Sequence, residues 1–151
     1  MSERSDLRTG IRVPEYDVVV PWHCTLPQLY DSIPRRRFET CMHGDTLLTF
    51  TLLGYRATYW FNFLDETRTL REVQLYRWRR NRRAIKPGYR CSAAALRSAL
   101  GAGNVLDVCD GQLWRHDGVT VRNGAGPGRR TGDRRWGYRH VLSAGVFSSR
   151  D

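Results

Sequence analysis

Residues 56–83 read R-A-T-Y-W-F-N-F-L-D-E-T-R-T-L-R-E-V-Q-L-Y-R-W-R-R-N-R-R. The stretch holds the densest aromatic run, the clearest strand alternation and the strongest charge block of the chain. Residues 57–64 and 70–78 alternate apolar and polar side chains, the period of two that marks half-buried strands. Residues 65–69 supply a turn between them, and 46–53 (T-L-L-T-F-T-L-L) form a strand before the Gly54 turn. The three runs predict an antiparallel meander.

Side chains alternate along a strand, so an acceptable register keeps the apolar set together. Pairing Phe61 with Leu75, Phe63 with Val73 and Tyr59 with Arg77 does so, with Ala57 on the same face. The other face then carries Arg56, Thr58, Trp60 and Asn62 against Trp78, Tyr76, Gln74 and Glu72.

Outward from the meander, residues 79–88 read as a basic loop. Ser92 reads as the cap of a helix, A-A-A-L-R-S-A-L, with Gly101 as its stop. Upstream, Thr25 caps a short helix with Pro27 in its first turn and Leu26, Leu29, Tyr30 and Ile33 at helical spacing. Arg35, Arg36 and Arg37 follow it, where cations oppose the helix dipole. Residues 16–22, 38–42 and 104–109 read as short strands, and 112–116 with 119–123 as a hairpin around Asp117-Gly118. The fold class is α+β: an antiparallel sheet, built of a three-strand meander plus a C-terminal hairpin, with two short helices packed on one face. Residues 1–14 read as a flexible N-terminus, 15–123 as one domain, and 124–151, rich in glycine and arginine, as a basic tail, disordered or loosely docked.

A chain of 151 residues is long enough for a core without staples. Its formal charge is +10, and every basic residue except Lys86 is arginine. Residues 68–97 hold ten basic groups against Glu72 alone, and residues 122–151 carry a second excess. Guanidinium forks match phosphates and carboxylates and stack on aromatic rings, so nucleic acid or an acidic protein is the expected partner. Cysteines 24, 41, 91 and 109 are too scattered for a secreted disulfide scaffold. No apolar run approaches the ~18 residues of a membrane span. With no hydrophobic leader at the N-terminus, a cytoplasmic protein without membrane association is expected.

The candidate contact residues are Arg56, Trp60, Tyr76, Arg77, Trp78, Arg79, Arg80, Arg82 and Arg83. Flat rings beside arginines suit single-stranded nucleic acid, with bases on rings and cations on phosphates. The same aromatic face suits a protein partner, an inhibitor-type contact or a homo-oligomer. Metal candidates are Cys24, Cys41 and His43, which lack the usual C-x₂₋₄-C zinc spacing, so no cofactor is expected. There is no phosphate-binding glycine loop and no local nucleophile motif, so a non-enzymatic binding protein is expected.

The segments T-L-P-Q-L-Y-D-S-I-P, L-L-T-F-T-L-L-G-Y-R-A-T-Y-W-F-N-F and L-R-E-V-Q-L-Y-R-W together are similar to the unit of the β-lactamase-inhibitor-protein-like and outer-membrane-assembly small-lipoprotein folds. The resemblance spans roughly residues 20–123, one of pattern without a specific motif, and the lipid-anchor cysteine is absent. It implies a helix hairpin on one face of an antiparallel sheet, a scaffold used for binding rather than chemistry. A ferredoxin-like RNA-binding sheet is the rival architecture, although its basic-Gly-aromatic strand motif is missing.

Overall fold

A computed structural model describes residues 7–40, 46–64, 66–105, 110–116, 118–130 and 135–146. Strand β1 (Gly10–Val13) pairs with β2 (Val18–Pro21) in a small antiparallel ribbon. Helix α1 (Leu26–Ser32) follows, closed at its start by a capping box between Thr25 and Gln28. Strands β3 (Glu39–Thr40), β4 (Thr46–Leu52), β5 (Tyr55–Phe63) and β6 (Leu70–Arg79) come next, then helix α2 (Arg82–Leu100). The chain continues as β7 (Asn104–Val105), β8 (Asp110–His116), β9 (Val119–Arg129) and β10 (Trp136–Val146). Among the described residues the main sheet has the order β3-β4-β5-β6-β10-β9-β8-β7, antiparallel throughout. This is the α+β class read from the sequence, with α2 packed on one face of the sheet.

The face under α2 and the β1–β2 ribbon carries the core. Phe50, Tyr59, Phe61, Val73, Leu75, Leu142 and Ala144 are buried there with Ile11, Val13, Leu29 and Leu96. Phe50 packs on Tyr59 and Phe61 with ring centroids 4.9 and 5.8 Å away. The Tyr59 hydroxyl, sealed from water, donates to the Tyr55 carbonyl at 2.8 Å. Burial raises its pKa well above the usual value.

Four expectations need correction. The register of β5 on β6 is Phe61↔Val73 and Trp60↔Gln74, two residues from the one expected, with a bulge at Asn62/Phe63. A slip of two preserves parity, so the assignment of faces is unaffected. Second, residues 82–88 are helix, not loop. Asn81 caps α2, its Oδ1 accepting from the Ala84 N–H at 3.1 Å. Pro87 lies inside α2 and forfeits one helical bond. The buried stripe of Ile85, Ser92, Leu96 and Leu100 offsets that loss.

Third, Gly10–Val13, inside the segment read as a flexible N-terminus, is strand. Fourth, residues 124–129 and 136–146 are not a tail. They belong to β9 and β10, and β10 lies between β6 and β9 in the sheet. The glycines there answer to packing. A Cβ on Gly137 would stand 2.5 Å from the Trp78 ring and 2.5 Å from the Arg79 carbonyl oxygen. Strand glycine marks a place where another group lies across the backbone.

Candidate functional site

The meander exposes a groove on the face of the sheet away from α2. β5 is paired with β6 only from Phe63 back to Trp60, while β6 continues to Arg79 along β10 and β5 continues to Tyr55 along β4. The two strands therefore part beyond Trp60 and Gln74. The cleft measures about 610 Å³ and is lined by Trp60, Tyr76 and Trp78 together with Arg77, Arg79, Arg80 and Arg130, with no carboxylate among the described residues of its wall.

The rings are held in place from below. Trp60 and Tyr76 stack with centroids 6.3 Å apart and planes 28° apart. Tyr76 Oη donates to the Arg129 carbonyl at 2.9 Å, and Trp78 Nε1 donates to the Gly128 carbonyl at 3.1 Å. Both side chains start on β6 and reach over β10 to β9. The Arg130 guanidinium lies 6.0 Å from the Trp78 ring centre. The Trp60 Nε1–H is buried with no hydrogen-bond partner among the described residues, so stacking rather than a polar contact holds that ring.

The expected contact residues do not all converge. Trp60, Tyr76, Arg77, Trp78, Arg79 and Arg80 line the groove. Arg56 does not. It forms an ion pair with Glu15 at 2.7 Å, and the same carboxylate accepts from the Thr51 N–H and hydroxyl, each at 3.1 Å. Partial burial would raise the Glu15 carboxyl, but those donors and Arg56 outweigh it and hold it below the usual value. Arg82 and Arg83 stand in the first turn of α2, on the other side of the sheet. Arg77 and Arg79 border the groove but share parity with Val73 and Leu75: Arg77 Nη1 reaches the space beside Gly88 under the helix, and Arg79 Nη1 donates to the Trp78 carbonyl at 2.7 Å.

Arg130 was missed because it lay in the segment read as a tail. The signal was present: Trp136, Tyr138, His140, Leu142, Ala144 and Val146 recur at every second position. Gly137, Arg139 and Gly145 at intervening positions, with apolar Val141 between them, masked it.

A second polar cluster is enclosed between α2 and the sheet. His140 Nε2 lies 2.8 Å from Asn123 Oδ1 and 3.1 Å from Ser92 Oγ, and all three residues are buried. The composition suggests a nucleophile, a base and an orienting amide. The geometry differs, because Ser92 and Asn123 meet the same ring nitrogen instead of opposite ones. Asn123 Oδ1 accepts from Nε2–H, which leaves Nδ1 as an acceptor toward the Arg77 side, without a partner among the described residues. Burial, with Arg77 nearby, lowers the His140 pKa to about 4, so the ring is neutral at pH 7. The cluster ties α2 to β9 and β10.

Of the metal candidates, Cys41 and His43 lie outside the described residues. Cys24 is buried, and burial pushes its thiol pKa up. Comparisons with protein-family models, curated proteins and solved structures found no match.

Proposed function

We propose that this protein binds single-stranded nucleic acid, with little sequence specificity, in the groove between β5 and β6. The observation that carries the reading is the stacked Trp60–Tyr76 pair and Trp78, set among Arg79, Arg80 and Arg130 in a groove whose described residues include no carboxylate. Every base has a flat face, so stacking on such rings contributes ~1–3 kcal/mol per base whatever the sequence. Guanidiniums track the phosphates, and each phosphate neutralised releases counterions. Tyr76 and Trp78 spend their polar groups on the carbonyls of residues 128 and 129, so they offer ring faces and no base-edge code.

The reading is one of binding, with no reaction assigned. Its test is fluorescence anisotropy of labelled single-stranded DNA and RNA over a salt series, with tryptophan quenching read in parallel. Binding should weaken steeply with salt and quench tryptophan emission. Absence of binding at low salt would overturn the reading. Tighter binding of a polyglutamate chain of equal charge, without quenching, would replace nucleic acid by an acidic protein as the partner.

A further inference from the structure

Resting on that reading, we infer that the same strand continues over the end of β6 into a second basic groove, on the opposite face of the sheet between α2 and β9–β10. This groove measures about 420 Å³ and is lined by Arg82, Lys86 and Arg90 of α2, by Tyr89, and by Pro127 and Tyr138 of the hairpin, again with no carboxylate among the described residues of its wall. Arg82, Lys86 and Arg90 are spaced four residues apart, so they stack along one side of the helix. Lys86 and Arg90, like charges at that spacing, repel one another, and a polyanion relieves the repulsion.

Trp136 extends this groove. It shares parity with Tyr138 on β10, so both side chains leave the sheet on the α2 side. The ring is 64% exposed, the most open large apolar side chain among the described residues. Arg129, opposite it on β9, places its guanidinium 4.9 Å over the ring. The second face thus repeats the elements of the first: aromatic rings interleaved with cations.

The turn from β6 to α2 joins the two faces. Arg79 and Arg80 line the first groove, Arg82 lines the second, and only Asn81 stands between them. Among the described residues the positive lining therefore passes from Arg130 and Arg80, across Asn81 at the sheet end, to Lys86 and Arg90. A duplex, stiff over ~50 nm, cannot turn over one strand end into grooves on opposite faces. A single strand can. The path lengthens the binding site and selects single strands over duplex by shape.

The test uses single-stranded DNA of about 4 and about 16 nucleotides, which bracket the site sizes of single-strand-binding domains. Wild-type protein is compared with the double variant Lys86→Gln/Arg90→Gln and with Trp136→Ala. Lys86 is half-buried and Arg90 and Trp136 are exposed, so all should melt like wild type by circular dichroism. The double variant should bind the long oligonucleotide roughly tenfold more weakly, and its salt slope should fall by about 1.4, at ~0.7 per lost phosphate contact. Trp136→Ala should weaken the long oligonucleotide alone. The short one should bind all three proteins equally. If wild type binds neither length, the first groove's assignment fails as well. If it binds the short strand but the variants leave the long strand unchanged, the second groove is excluded and the first stands. Equal weakening of both lengths would also exclude a separate second groove.

Discussion

Trp78 on β6 donates its indole N–H to the carbonyl of Gly128 on β9 at 3.1 Å, reaching across β10 to do so. The contact requires β10 to present no side chain at Gly137, whose Cα lies beneath the ring. One residue of the aromatic-basic stretch and two glycines of the C-terminal hairpin thus form a single packing unit. The floor of the groove and the closure of the sheet depend on the same contact.

Gly137→Ala should therefore damage both. The added methyl meets the Trp78 ring and the Arg79 backbone oxygen, each at 2.5 Å, and a backbone atom cannot swing aside. Overpacking of this kind costs about 1–3 kcal/mol. Urea denaturation should show the loss, and tryptophan emission should shift as the ring is lifted. An unchanged midpoint and spectrum would refute the packing unit.

Phe61→Ala and Trp60→Ala should separate the two faces of β5. Phe61 is 3% exposed, among Phe38, Phe50 and Val73. Its truncation should cost about 3–5 kcal/mol. Trp60 is half-buried on the groove face, and its loss should leave a cooperative fold while weakening oligonucleotide binding severalfold. Equal destabilisation by both would show that the groove wall is core.

Arg56→Ala and Arg80→Ala should differ in binding, although both arginines were read as contact residues. Arg56 is committed to Glu15 outside the groove, and its exposed ion pair is worth at most about 1 kcal/mol of stability. Its removal should leave affinity unchanged. Arg80→Ala should lower the salt slope by about 0.7. The reverse ranking would move the interface to the far end of β5.

Stability should fall as pH drops below about 6.5. His140 has a pKa lowered to about 4 in the folded chain and ordinary in the unfolded one, so the unfolded state binds the proton first. The full contribution is present above pH 6.5 and declines toward pH 4, with a loss of roughly 3 kcal/mol across the window. The Glu15 carboxyl, held low in the fold, adds its own loss only as pH falls through the carboxylate range, below the window where His140 acts alone of the two. Denaturation midpoints at pH 7, 6 and 5 test this. A flat profile above pH 5 would show that His140 is accessible to water.

The alternation in residues 57–64 and 70–78 was sufficient to assign Tyr59, Phe61, Val73 and Leu75 to the core and Trp60, Tyr76 and Trp78 to the other face. That assignment survived a register error of two because parity depends only on odd or even offset. The helical extent was harder to read. Asn81 and Pro87 resemble a loop locally, and only the burial of Ile85 and Ser92 against the sheet makes a helix there the better state.

By itself, the sequence determined the fold class, the separation of the sheet's two faces and the excess of arginine beside aromatic rings, because each follows from local periodicity and composition. The tertiary structure decided the rest. Gly124, Gly126, Gly128 and Gly137 resemble a linker in isolation, since glycine carries no pattern of its own. Their meaning lies in what crosses them, and for Gly137 that is a tryptophan fifty-nine positions earlier in the chain. Non-local pairing of β10 with β6 turned an apparent tail into the middle of the sheet, and with it placed Arg130 beside Trp78.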